Sequence, residues 1–283
     1  MKLYIFTTNK DLSAPLICDE AKNQKLATEI LFYENLKVSE GHLVNLSSKL
    51  TLLSDDKIII RWPWDADDTS IEYNSIVKYL CEKFQENICL DFDCLDKFSP
   101  NYEDKYFQSQ VFEKLDVSTP KTVLGDVELA KKEVGFPMVM KKRLSSRSKG
   151  NFLIENNEQL EEKTKSLDLD KYIFQRYTPA EQDLRVLVLE DNVLGCVSRH
   201  MHVRDENRLS VKGMDKVEQI DERIKRDAMK IRDYLGADLV GFDVLVNKNN
   251  DYFFIEANLS PQFGSFMQTT KINVANKIIE AII

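Results

Sequence analysis

The sequence predicts an α+β fold whose N-terminal part is α/β. Two observations carry this. Beyond residue 100 the strand-like segments come in pairs joined by short turns, as in 184–189 with 193–200 and 239–246 with 251–257. Such hairpins mark an antiparallel sheet, whereas strands alternating singly with helices would mark a parallel one. The first hundred residues do alternate singly: a strand at 2–7, helical composition at 20–37, the apolar run Lys57-Ile58-Ile59-Ile60 and a helix from Thr69 to about Gln85. A chain of 283 residues can bury a sizeable core, in one large domain or two to three small ones.

The elements follow in order. Met1-Lys2-Leu3-Tyr4-Ile5-Phe6-Thr7 is too short in its apolar part for a signal peptide and reads as the first strand. Thr69-Ser70-Ile71-Glu72 has capping-box spacing and opens the second helix. The segment 87–102 is Asp-rich and is predicted irregular. It holds Ser99-Pro100-Asn101, where we expect a domain boundary separating 1–99 from 100–283, the latter divided into about 100–178 and 179–283. A helix follows at 103–115, then one at 126–134 capped by Asp126 and ended by Gly135. Residues 137–141 form a strand, 142–149 a polar loop, 151–154 a return strand, 157–167 a helix and 172–175 a strand. The next hairpin turns at Glu190-Asp191-Asn192. A long helix covers 217–235 and stops at Gly236, the strands 239–246 and 251–257 follow, and a final helix closes the chain.

Composition excludes several classes. With 39 basic and 47 acidic side chains the net charge is −8, which argues against broad nucleic-acid binding but permits a local basic patch. No apolar run reaches the roughly 18 residues of a membrane span. The 15 Phe, 10 Tyr and 2 Trp argue against disorder. Cys18, Cys81, Cys89, Cys94 and Cys196 are odd in number and lack CxxC spacing. That fits neither a disulfide framework nor a zinc site, and points to reduced thiols in the cytoplasm.

The most informative feature is the acidic hairpin. Gly241-Phe242-Asp243-Val244-Leu245-Val246 and Tyr252-Phe253-Phe254-Ile255-Glu256-Ala257-Asn258 flank a polar turn. A two-residue loop at Asn249-Asn250 would pair 248 with 251 and bring Asp243 opposite Glu256, about 5 Å apart at Cβ. Asn258 would share the face of Glu256. Facing carboxylates in an apolar hairpin repel unless a cation bridges them or one is protonated. Two acids and an amide oxygen suit Mg²⁺ held beside phosphate. A shifted register with both acids solvated is the alternative.

Lys141-Lys142-Arg143-Leu144-Ser145-Ser146-Arg147-Ser148-Lys149-Gly150 concentrates five cations between two strands. It is either a phosphate cradle or a solvated basic turn, and the acid hairpin favours the first. Trp62-Pro63-Trp64-Asp65 ends a strand and either lines a cleft or packs into the core.

These segments lie in an order of their own. Asp104-Lys105 leads through a helix to Ser118-Thr119-Pro120-Lys121-Thr122. Pro137-Met138-Val139-Met140-Lys141, Gln175-Arg176-Tyr177 and Asp183-Leu184-Arg185-Val186 follow. The chain then reaches Phe254 to Phe263 and Thr270-Lys271-Ile272-Asn273-Val274-Ala275. Taken together they resemble the ATP-grasp superfamily, and within it the RimK-like carboxylate–amine ligases, over about 100–283. The resemblance implies an ATP-grasp fold, two α+β subdomains gripping ATP behind a small pre-ATP-grasp domain. It implies that Lys105 and Lys141 meet ATP phosphates. Gln175 and Tyr177, with Arg176 between them, would flank the adenine mainly through backbone, and Asp183 would meet the ribose. Ser146 and Gly150 belong to the loop expected to cover the phosphates. Asp243, Glu256 and Asn258 would hold Mg²⁺, with Mn²⁺ as an alternative ion. Arg199 would contact phosphate or an acyl-phosphate, and Arg185 and Arg208 the substrate carboxylate, unless these arginines form structural ion pairs.

Two departures stand out. The family's glycine-rich loop is replaced by Ser145, Ser146, Arg147 and Ser148, with Gly150 kept, and 142–150 is the expected lid. In the Ser-Pro-Gly element, which lies near the acceptor in family members, Gln262 replaces Gly. The activity implied is ADP-forming amide or peptide bond formation through an acyl-phosphate, on an amino acid, peptide or protein tail. The alternatives are an ATP-grasp small-molecule kinase and a nucleotide-binding regulatory protein. His200 and His202 either help deprotonate the amine or sit on a solvated rim. Self-association is left open.

Overall fold

A computed structural model describes residues 1–39, 42–46, 48–62, 69–98, 103–145, 150–204 and 208–283. The chain opens with a small parallel sheet. Strands β1 (Lys2–Thr7), β2 (Ala27–Phe32) and β6 (Lys57–Ile60) lie in the order β2-β1-β6. β1 buries Leu3 and Ile5 on one face and Tyr4 and Phe6 on the other. A strand covered on both faces reads as a continuous apolar run, which is what residues 3–6 are. Helix α1 (Ala14–Asn23) covers the first face with Ile17, Cys18 and Ala21. Helix α2 (Thr69–Lys83) covers the second with Ile76, Val77 and Leu80. Between β2 and β6 lies an antiparallel trio: β3 (Leu36–Ser39), β4 (His42–Asn45) and β5 (Ser48–Lys49).

The helix expected at 20–37 is therefore corrected. It starts earlier, with Pro15 in its first turn, and ends at Asn23. Lys25 adopts φ 63°, and the chain returns as β2 in unbroken parallel register with β1, Lys2 opposite Ala27 through Thr7 opposite Phe32. Helical propensity of a fraction of a kcal/mol per residue loses to a ladder that also buries Leu31. The segment 87–102 is corrected as well, because it contains helix α3 (Phe92–Phe98). Asp93 and Asp96 face outward, Asp91 before the helix is buried, and Cys94 and Leu95 join the core. The expected boundary at Ser99-Pro100-Asn101 lies outside the described residues, as do Pro63, Trp64 and Asp65; Trp62 is buried.

The remaining strands form one antiparallel sheet in two halves. Helix α4 (Lys105–Lys114) is capped by Asp104, whose side chain accepts from the Tyr106 N–H. Strands β7 (Thr122–Leu124), β8 (Met138–Lys142), β9 (Phe152–Ile154) and β10 (Tyr172–Arg176) follow, with helices α5 (Val127–Glu133) and α6 (Asn157–Thr164) between them. Then come β11 (Gln182–Leu189), β12 (Asn192–Arg204), β13 (Arg208–Lys212), helix α7 (Glu222–Leu235), β14 (Leu239–Val246) and β15 (Tyr252–Asn258). The order is β15-β14-β11-β12-β13-β9-β8-β10-β7. The long β12 pairs with β11 as far as Arg199 and with β13 from His200 onward. It thus hands the chain from one half-sheet to the other.

Two further corrections concern the ends of the helices. α7 begins at Glu222 on its Asp221 cap, not at 217, because Val217 bridges Val197 in the sheet. The closing helix is two helices, α8 (Gly264–Thr270) and α9 (Val274–Ile282). Lys271 (φ 62°) ends the first and the Asn273 side chain caps the second.

Candidate active site

β14 and β15 bring the two acids together. The turn is longer than expected: Asn247 N–H donates to the Asp251 carbonyl, and Val246 pairs with Tyr252. Continued unchanged, that register would set Asp243 opposite Ile255 and send Glu256 to the far face. A bulge between Asp243 and Val244 adds one residue to β15 and restores the pair Asp243–Glu256. The sequence therefore gave the right pair from the wrong turn. Gly241 pairs with Asn258, whose amide nitrogen donates to the Gly241 carbonyl at 3.4 Å.

The same face continues across β11 and β12. Arg185 is the partner of Asp243, and Asp183 is the partner of Arg199. Arg199 lies between two carboxylates. Its Nη2 bonds Asp183 Oδ1 and stands 3.1 Å from Asp243 Oδ2. Burial alone would lower the Arg199 pKa, but Asp243 and Asp183 together raise it. Asp183 is held above the usual carboxylate range, by burial first, against the pull of Arg199. Arg185 Nε stands 2.7 Å from Asp243 Oδ1 but off the hydrogen-bond direction, and both atoms remain buried without a hydrogen bond. Burial lowers the Arg185 pKa.

Two lysines complete the face. Lys105, at the start of α4, donates to the Ser145 carbonyl at 2.7 Å and pairs with Glu256 at 3.3 Å. Lys141, on β8, donates to Gln175 Oε1 at 2.6 Å, and Gln175 in turn donates to Thr122 Oγ1 at 2.9 Å. Burial brings Lys141 down to about 8; Lys105 adds to this, while Glu256, Asp243 and Asp183 oppose it. Lys105 joins the two halves of the sheet at the site, with the Ser145 carbonyl beyond β8 on one side and Glu256 of β15 on the other. The Gln175 side chain, expected to act mainly through backbone, thus holds Lys141.

The segment 175–177, expected to flank the adenine, is bonded within the chain. The N–H groups of Arg176 and Tyr177 donate to the carbonyls of Lys121 and Pro137. The Arg176 guanidinium reaches the Glu133 carbonyl at the end of α5. The basic loop also divides. Lys141 and Lys142 belong to β8, and Arg143 embraces Asp104 and donates to the Asp170 carbonyl. The root of the expected lid is therefore anchored. Gly150 has φ 79°, a left-handed value. Ser146, Arg147, Ser148 and Lys149 lie outside the described residues, and so do the side chains of Arg208, His200 and His202.

Gln262 is tied to the N-terminal part of the chain, its amide bonded to residues 11–13. Glu103 was not anticipated. Its Oε1 is buried without a partner, and burial followed by the Glu256 charge pushes its carboxyl up to about 8. Its only sequence signal was its place two residues before Lys105. Among the described residues no group of three His, Cys, Asp or Glu is placed to hold a metal. The acid pair with Asn258 is the hard-oxygen set available, and Asp243 Oδ1, beside Arg185 Nε, lacks a hydrogen bond.

A RimK-like ATP-grasp domain matches residues 102–282. The chain belongs to the RimK-like ATP-grasp family. It is 27% identical over 160 residues to the glutamate–LysW ligase ArgX of Sulfurisphaera tokodaii, covering 52% of this chain and 55% of that protein. It is 29% identical over 191 residues to the coenzyme γ-F420-2:α-L-glutamate ligase of Methanocaldococcus jannaschii, covering 64% and 65%. The chain thus spans between about half and two thirds of the length of these relatives. The structure of the ATP-grasp ligase PsnB complexed with a minimal precursor, Mg and ADP superposes with a TM-score of 0.70 at 14% identity, over 99% of this chain and 96% of that one. The fold is ATP-grasp, and the family uses ATP. Among the described residues no helix is long and apolar enough to cross a membrane.

Proposed function

We propose that this RimK-like protein is an ADP-forming carboxylate–amine ligase acting on an amino acid, peptide or protein tail. The observation that supports the reading most is the convergence of Lys105, Lys141, Arg185 and Arg199 on the Asp183, Asp243 and Glu256 face. Four cations gather beside these carboxylates and the buried Glu103, and positive groups drawn to one face suit phosphate. ATP phosphorylates the acid, giving an acyl-phosphate and ADP. The amine then attacks the acyl carbon and releases phosphate and a proton. Moving the γ-phosphoryl group requires positive charge at its oxygens, which Lys105, Lys141 and Arg199 supply. Asp183 is assigned to the ribose and residues 175–177 to the adenine. Asp243, Glu256 and the Asn258 oxygen would hold Mg²⁺, which supplies further charge at the phosphates; the Mg and ADP bound to PsnB support this choice of ion. Residues 142–150 are assigned to the lid that excludes water from the acyl-phosphate. We divide the chain at about residue 100, with the first part shaping substrate choice. Both relatives named above carry glutamate in their names, which supports an acidic amino acid as one substrate. Five free cysteines support a cytoplasmic location.

The test is a screen of amino acids, L-glutamate among them, and short peptides with ATP and Mg²⁺. Mass spectrometry reads the new amide and a coupled assay reads ADP. A product heavier than its acid by the amine less one water, formed one-for-one with ADP, is expected. A phosphorylated product that accumulates without an amine would replace the ligase with a kinase.

A further inference from the structure

The segment Ser260-Pro261-Gln262-Phe263 follows one residue after Asn258 ends β15, yet it is held by the opposite end of the chain. Gln262 Oε1 accepts from the Leu12 N–H at 3.0 Å and from Ser13 Oγ at 3.2 Å, while its Nε2 donates to Asp11 Oδ1 at 2.9 Å. Asp11 forms a buried ion pair with Arg61, whose Nη2 donates to the carbonyls of Ser260 at 3.2 Å and Pro261 at 3.1 Å. The Trp62 N–H donates to Ser260 Oγ at 2.6 Å, and the Phe263 N–H donates to Ser13 Oγ at 3.0 Å. The result is a polar clasp between the loop after β1, the end of β6 and the exit of β15.

The clasp borders the site at Gly241. A Cβ built on Gly241 would lie 2.8 Å from Arg185 Nη1 and 2.9 Å from Pro261 Cβ. Arg185 Nη1 and Pro261 Cβ therefore border the same space, the one a side chain at position 241 would fill, and lie within about 6 Å of each other. Among the described residues the one ion pair of Arg185 is the Nε contact with Asp243. The two terminal nitrogens of its fork are the groups left to meet a ligand. A guanidinium fork matches a carboxylate in two parallel hydrogen bonds, and that match depends on its tilt.

We propose that the Asp11–Arg61–Gln262 clasp is a specificity device. It fixes Pro261 beside the Arg185 guanidinium and so sets the fork to receive the side-chain carboxylate of an acidic α-amino acid. Asp11, Arg61 and Gln262 are positioning residues, since they reach the site only through Ser260 and Pro261. The inference rests on the ligase reading above and adds the means by which one substrate is chosen. It also gives the Gly-to-Gln departure a physical role: glycine at 262 has no amide with which to close the clasp.

The experiment compares full-length wild type with Gln262→Gly and Gln262→Glu. The first opens the clasp, and the second sets a carboxylate against Asp11. Calorimetry measures Mg·ADP binding, then binding of L-glutamate and of L-glutamine to the Mg·ADP-loaded protein. Wild type is expected to prefer L-glutamate over L-glutamine by about tenfold or more. Both variants are expected to keep the wild-type affinity for Mg·ADP and to lose about fivefold or more of the glutamate preference, Gln262→Glu the more. A preference retained in both variants overturns the proposal. So does a parallel loss of Mg·ADP and glutamate binding with lowered thermal stability, which would mark a structural role alone. A wild type that binds Mg·ADP but does not distinguish the two amino acids overturns the acidic-substrate assignment and leaves the ligase reading standing. Failure of Mg·ADP to bind wild type strikes the ligase reading instead.

Discussion

Asp11 and Asp243 are both buried carboxylates beside an arginine, and their surroundings differ. Asp11 accepts from Thr7 Oγ1, from the Ser13 and Ala14 N–H groups, from Gln262 and from Arg61. Asp243 stands between Arg185 and Arg199, yet its Oδ1 has no hydrogen bond. The first network is satisfied within the chain and so fixes geometry. The second leaves buried polar atoms of Asp243, Arg185 and Glu103 without hydrogen bonds, and that is the state of a site completed by a ligand.

The widest break in this comparison comes from the open network. Glu256→Ala should abolish Mg²⁺-dependent ADP formation, a loss of about a hundredfold or more, while circular dichroism and unfolding stay near wild type. Normal turnover in that variant would sink the metal assignment. The satisfied network should answer in stability instead. Arg61→Met leaves Asp11 buried without its cation and should cost about 3–5 kcal/mol in urea unfolding. A loss below about 1 kcal/mol would mean that the pair is exposed in solution.

Lys141→Ala should weaken ATP binding by about 1.5–3 kcal/mol, read by calorimetry, because it removes a charge-assisted contact to phosphate. Unchanged affinity would place β8 away from the nucleotide. The smallest effect is a pH dependence. Burial alone would raise the Asp11 pKa, but Arg61 and the hydrogen bonds outweigh it and hold it at about 2. A depressed carboxylate contributes stability that is present above its unfolded value near 3.8 and is lost as pH falls toward the folded one. The stability gap between wild type and Asp11→Asn should therefore narrow by about 2 kcal/mol between pH 4 and pH 2. A gap independent of pH would show that Asp11 keeps its ordinary titration in the folded chain.

Much of the fold was legible where elements are local. The Asp126 cap, the run Lys57-Ile58-Ile59-Ile60 and the strands of both C-terminal hairpins stand close to where the sequence set them, though the turn between β14 and β15 does not. The misplaced helix at 20–37 has a clear cause. β2 is a strand because β1 lies beside it, and nothing within 27–32 announces that neighbour. The candidate site was legible as a set of residue types, since Lys105, Lys141, Asp183, Arg185, Arg199, Asp243 and Glu256 do converge. Their pairings were not: Arg199 with Asp183, Lys105 with Glu256 and Gln175 with Lys141 each join residues at least 16 positions apart.

By itself the sequence determined the alternation of buried and polar positions, the caps and the order of charged motifs, because each is written within a few residues. Only the tertiary structure decided the bulge that returns Glu256 to the face of Asp243, and the partner of Gln262. A strand's facing depends on a register summed over the whole ladder, where one extra residue inverts every side chain beyond it. A hydrogen bond between Gln262 and Asp11, 251 residues away, depends on how two sheets pack, and leaves no local trace in the chain.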